Sequence, residues 1–151
     1  MTTEDIYWMQ QALNLAKHAE SCNEVPVGAI IVYKNEVIAQ SWNQPIVSCD
    51  STAHAEIVAM REAGKYLNNY RLIDTTLYVT LEPCLMCIGA MLHARIKRLV
   101  FGAYDYKTGA VKSVFNVLDD VRLNHKIIYE GGILTEECAA LLTNFFKKRR
   151  E

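Results

Sequence analysis

The tightest constraint on this chain lies between residues 76 and 102. TLYVTL (76–81) is an apolar run with the composition of a strand. Pro83 then opens a helix that runs through about Arg95, since proline is tolerated in a first helical turn. RLVFG (98–102) is strand-like again. Strands that alternate with helices imply a sheet with parallel strands, covered on both faces. Earlier in the chain, Ile6, Met9, Leu13 and Ala16 recur at helical spacing and predict a helix over 4–20. The runs 27–33 and 37–42 read as strands, with Lys34-Asn35-Glu36 joining them as a hairpin. Residues 53–67 read as a helix with Ala55, Val58, Ala59 and Ala63 inward. Residues 126–130 suggest a last strand, and 135–148 a closing helix with Leu141, Leu142, Phe145 and Phe146 on its apolar side. The predicted order is α-β-β-α-β-α-β, a loop with a short helix, then β-α.

No repeat, low-complexity tract or Pro/Gly-rich linker divides the 151 residues, so a single domain over 1–151 is expected. A hydrophobic fraction of 51% is enough for one core, and 22% charged residues argues against disorder. No apolar run approaches the roughly 20 residues of a membrane span. The start, MTTEDIYWMQQ, has acids and amides where a signal peptide has a basic stretch and an apolar run. Five cysteines (Cys22, Cys49, Cys84, Cys87 and Cys138) make an odd set with only one close pair. That is a poor disulfide framework and suits a reducing compartment, so a cytoplasmic protein is expected. The net charge of −1 argues against a protein that coats nucleic acid by bulk charge. A local basic run, Lys147-Lys148-Arg149-Arg150, can still meet a phosphate backbone.

Two short elements carry chemistry, and both fall at predicted helix starts, where α/β sheets place their sites. One is Thr52-Ala53-His54-Ala55-Glu56, the other Pro83-Cys84-Leu85-Met86-Cys87. Zinc takes imidazole nitrogen and thiolate sulfur, and three protein ligands leave one position for water. Cys84 and Cys87 are three apart, so one helical turn puts both sulfurs on one face. The free N–H groups and dipole of a helix start favour their thiolates. His54 is the candidate third ligand. Glu56 is only two residues on, a spacing that separates side chains within a helix. His54 is therefore expected at the first position, where the chain is still turning, with Glu56 over the open metal position as a proton carrier. Two other readings of Cys-x-x-Cys remain: a redox dithiol, and half of a structural zinc site completed by His93, His125, Cys49 or Cys138.

His-x-Glu followed by Pro-Cys-x-x-Cys is the pattern already described for zinc nucleobase deaminases. The chain resembles the cytidine-deaminase-like superfamily and, within it, is most similar to the bacterial tRNA-specific adenosine deaminases. The resemblance is carried by EVPVGAIIV (24–32), SWNQPI (41–46), TAHAEIVAMREA (52–63), NYRLIDTTLYVTLEPCLMCIGAM (69–91), ARIKRLVFGAYDYKTGA (94–110) and EGGILTEECAALLTNFFKKRR (130–150), nearly the whole chain. It implies a three-layer α/β/α domain with a central mixed five-stranded sheet and helices on both faces. It implies one Zn2+ per subunit on His54, Cys84 and Cys87, with Glu56 as proton shuttle. The implied reaction converts adenosine to inosine at the wobble position of a tRNA anticodon stem-loop, in a homodimer. Asn43 and Ala55 are implied at the base, and Asp105, Lys107, Phe145 and Arg149 as RNA contacts, with at most one of Phe145 and Phe146 touching RNA. His125, beside Asn124, is a further candidate. Two rivals remain: the same chemistry on a free base or nucleoside (guanine, cytosine or cytidine), and a zinc-stabilised RNA-binding module without catalysis.

Overall fold

The computed structural model describes residues 2–150. Its elements run α1 (Thr3–Ser21), β1 (Gly28–Tyr33), β2 (Glu36–Trp42), α2 (Ala55–Leu67), β3 (Thr75–Leu81), α3 (Leu85–Ala94), β4 (Arg98–Ala103), a 3-10 turn (Val117–Asp119), β5 (Ile128–Glu130) and α4 (Thr135–Arg149). The strand order is β2-β1-β3-β4-β5. β1 is antiparallel to β2 and β3, while β3, β4 and β5 run parallel. The expected mixed five-stranded sheet is therefore present. α1 and α4 cover one face, and α2 packs on β1 and β2 with α3 beside it on the other.

The two faces follow from the strand period of two. Ala29, Ile31, Leu77, Val79, Leu99 and Phe101 enter the core beneath α2 and α3. The intervening Ile30, Val32, Tyr78 and Val100 pack with Met9, Ala12 and Leu13 of α1 on the opposite side. α1 lies very close to β1: a Cβ at Gly28 would sit 2.1 Å from the Ala12 carbonyl oxygen, so only glycine admits the helix.

Register determines where the site lies. Gly28 pairs with Trp42, Ala29 with Val79, and Leu81 with Ala103. The start of β1 and the ends of β2, β3 and β4 therefore share one sheet edge. Glu24, Asn43, Cys84 and Asp105 all belong to segments leaving that edge.

Some helix details differ from expectation. Pro83 precedes the N-cap, Cys84, rather than sitting in the first turn of α3. Ile6 is 38% exposed, and Ala12 and Ala19 share the buried stripe instead. Val58 is only half-buried. In α4 Phe145 is buried and Phe146 exposed; Phe145 turns toward the end of α1, where it borders a small cavity with Lys17, Glu20 and Ser21.

α1 is also fastened by charge. Asp5, 1% exposed, accepts from Tyr78 Oη at 2.7 Å and from Arg98 Nη1 and Nη2 at 2.8 and 2.7 Å. The paired Arg98 holds the Asp5 carboxyl at about 2 against an ordinary 3.8, overcoming the cost of burial. Folding lowers this pKa, so the contribution is complete above pH 4 or so and fades as the pH falls towards 2. Asp5→Asn should lower unfolding free energy by about 2 kcal/mol at pH 7. Urea denaturation of both proteins should show the difference shrinking below pH 4; a constant difference down to pH 2 would refute the assignment.

Candidate active site and metal centre

His54 is the N-cap of α2, with extended backbone at φ −67° and ψ 153°. Cys84 is the N-cap of α3, also extended, and Cys87 lies in that helix's first turn. His54 has thus not yet entered the helix, as the His-x-Glu spacing requires. Its Nδ1 is 3.5 Å from Cys87 Sγ and 3.7 Å from Cys84 Sγ. Tetrahedral zinc, with Zn–S near 2.3 Å and Zn–N near 2.05 Å, sets its sulfur and nitrogen ligands about 3.5 Å apart. The donor set and its spacing therefore fit a zinc ion with little movement. His54, Cys84 and Cys87 form the only such group of three or more His, Cys, Asp or Glu among the described residues.

Among the described residues no fourth side chain of those types joins the group, so the structural-zinc reading lacks its last ligand there. Cys138 lies across the sheet in the core beneath α1 and α4. His93 and His125 line a separate small cavity with Arg95, and His125 Nε2 is 2.7 Å from the Ile96 carbonyl oxygen.

The electrostatics of the cluster suit a cation. The hydrogen bond from Cys87, with the nearby His54, draws the Cys84 thiol down to about 4. The same contact with Cys84, with burial and the nearby Glu56, pushes Cys87 up. The two thiols are thus driven in opposite directions, because like charges so close oppose each other's ionisation. His54 is raised, chiefly by its contact with Cys84. Glu56 is 4% exposed, and burial pushes its carboxyl up to about 7.

The remaining predicted residues surround this cluster unevenly. Asn43 directly follows β2 and is 9% exposed; its backbone N–H donates to the Val27 carbonyl at 3.0 Å. Ala55, fully buried, is the first residue of α2. Asp105, Lys107, Phe146 and Arg149 line one cavity of about 750 Å³ together with Leu81, the last residue of β3. The Asp105 carboxylate is occupied within its own turn, accepting from the Lys107 and Thr108 N–H groups and the Thr108 hydroxyl. Phe145 does not line this cavity; its ring lies 3.9 Å beneath the Arg149 guanidinium.

Two functional-edge residues escaped the sequence reading. Glu24, 1% exposed, accepts from the Ile46 and Val47 N–H groups at 3.2 and 2.8 Å and shapes the loop after Asn43. Glu82, 2% exposed, does the same for the segment after β4. The available signal for Glu82 was an acid placed directly between an apolar strand and the Pro-Cys-x-x-Cys motif; Glu24, four residues before β1, left none as local.

Residues 2–103 match the family model described as the cytidine and deoxycytidylate deaminase zinc-binding region. A tRNA-specific adenosine deaminase of Haemophilus influenzae is 56% identical over 95% of this chain and 83% of its own length. A solved structure from a study of A-to-I editing by tRNA:A34 deaminases at the wobble position of transfer RNA superposes with a TM-score of 0.87. It is 42% identical and covers 90% of this chain and 99% of its own. The guanine deaminase of Bacillus subtilis is more distant, at 32% identity and a TM-score of 0.65 over 100% of this chain and 96% of its own. The chain belongs to the tRNA-specific adenosine deaminases of the zinc-binding cytidine and deoxycytidylate deaminase family.

Proposed function

We propose that this chain hydrolyses adenosine to inosine at the wobble position of a tRNA anticodon, using one zinc per subunit. The observation that carries the proposal is the meeting of His54, Cys84 and Cys87 at two helix starts, beside the buried Glu56. His54 Nδ1 and the two sulfurs are the zinc ligands. When bound, zinc supplies a Lewis acid that brings the pKa of a coordinated water toward neutrality.

Glu56 does the proton work. Its carboxylate takes a proton from the water whose oxygen forms the new bond to C6 of the base. It passes that proton to ring nitrogen N1, then takes the remaining proton of the new hydroxyl and passes it to the exocyclic NH2 as the C–N bond breaks, so water and adenosine give inosine and ammonia. A carboxyl raised by burial takes and gives up a proton near neutral pH more readily than an exposed one. Asn43 reads the base edge, since an amide donates and accepts at once, and Ala55 lines the base pocket. Asp105, Lys107, Phe146 and Arg149 serve the RNA, and their shared cavity supports that role. Single-stranded loop substrates suit such a site, because a base inside a duplex cannot reach the metal.

A cytoplasmic homodimer goes with this activity. All five cysteines are free thiols, and among the described residues no helix is long and apolar enough to cross a membrane. An open hollow of about 690 Å³ between α2 and α3, bordered by Ile57, Met60, Tyr70 and Leu72, offers apolar area to a second copy.

Product analysis tests the activity directly. Inosine should form in an anticodon stem-loop with adenosine at the wobble position, while free guanine, cytosine and cytidine stay unchanged. Conversion of a free base with an inert stem-loop would move the protein to small-ligand chemistry. Asn43→Ala should slow the stem-loop reaction at normal zinc content.

Glu56→Gln should lower turnover by about 1,000- to 10,000-fold while zinc content and melting temperature stay near wild type. His54→Ala should lose zinc and activity together. A Glu56→Gln enzyme of near wild-type rate would place the proton carrier elsewhere.

A further inference from the structure

Glu82 carries a buried carboxylate that the proposed chemistry does not use. Its Oε2 accepts from the N–H groups of Val111, Lys112 and Ser113 at 3.0, 2.8 and 3.0 Å. Its Oε1 accepts from the Asp105 N–H at 3.1 Å and from the Ser113 hydroxyl at 2.5 Å. Five donors from the segment after β4 thus converge on one side chain at the end of β3. Backbone bonds secure the same junction: Glu82 N–H donates to the Ala103 carbonyl, and Ala110 N–H to the Pro83 carbonyl, both at 2.8 Å. A Cβ at Gly109 would lie 2.4 Å from Glu82 Cδ and 2.5 Å from the Asp105 carbonyl oxygen, so glycine is what lets the segment close on the carboxylate.

A buried charge is tolerated only where donors surround it, and here every donor comes from one segment. That segment, 105–113, includes Asp105, Lys107 and Thr108 of the large cavity. Glu82 itself is two residues from Cys84 along a short, proline-stiffened stretch. One side chain therefore ties the cavity wall to the chain that carries a metal-ligating sulfur.

We propose that Glu82 is a positioning residue for the RNA substrate, gathering 105–113 into the one conformation that presents Asp105 and Lys107 in fixed relation to Cys84. The role rests on the proposed reaction at the same site. Glu82 touches neither substrate nor metal in this role; it acts through the loop.

Glu82→Gln tests it, because the side chain keeps its shape but sets an amide NH2 among five donors. Amide exchange at Asp105, Val111, Lys112 and Ser113 should quicken about ten- to a hundredfold, with zinc content unchanged. KM for the anticodon stem-loop should rise about tenfold while kcat stays within about twofold. Ser113→Ala removes one donor and spares the carboxylate; it should shift exchange and KM in the same direction by less, and it keeps the test open should Glu82→Gln fail to fold. A purely structural role would instead lower zinc content and kcat together, and that outcome overturns the proposal. So would unchanged exchange, or a loosened loop with an unchanged KM. Failure of the RNA reading shows separately, as wild-type protein inert on the stem-loop; the exchange rates then still decide whether Glu82 fixes the segment.

Discussion

His54 and Cys84 each occupy the N-cap of a helix, and the two helices begin at the same edge of one sheet. This convergence is the constraint on which the rest of the site depends. An N-cap residue has extended backbone, so its side chain is not swept round with the helix that follows. Cys87, in the first turn of α3, then lies within reach of both. The positive ends of two helix dipoles face the cluster and favour its anionic sulfurs. Longer connections after β2 and β3 would weaken that placement, and the packing of α2 against β1 and β2 and alongside α3 holds the two starts together.

The same edge explains why buried carboxylates gather near the site. Irregular segments leave the sheet there on several sides, and their backbone N–H groups have no ladder to join. Glu24 and Glu82 supply acceptors from within, each gripping a different segment. Glu56 has a different environment. Its burial raises its pKa, whereas the donors around Glu82 outweigh burial and lower that of Glu82. Glu56 and Glu82, both buried, thus shift in opposite directions because of what surrounds each one.

The apolar runs in 27–33, 76–81 and 98–102 made the sheet legible, because strands buried on both faces leave an almost unbroken apolar run. The meeting of His54, Cys84 and Cys87 was legible from spacing, since a His-x-Glu and a Pro-Cys-x-x-Cys each place such side chains at a helix start. Less local features were hidden. Asp5 meets Arg98 across 93 residues, and Glu82 meets Ser113 across 31, so neither pair leaves a short-range pattern. The phase of α4 was also unreadable, since Leu141, Leu142, Phe145 and Phe146 are all apolar and only the packing of α4 decides which turns inward. Pro83 fits either side of a helix boundary, and the Cys84 backbone decides in favour of the earlier place.

The central claim is a metal held by three protein atoms with one position open beside Glu56. X-ray absorption at the zinc edge, on protein purified without chelator, measures this directly. The account predicts two sulfurs near about 2.3 Å and two light atoms near about 2.0–2.1 Å per zinc, one from imidazole and one from solvent. It also predicts that Glu56→Gln leaves both shells in place. A fourth protein ligand, or loss of a light-atom ligand in Glu56→Gln, would contradict the account.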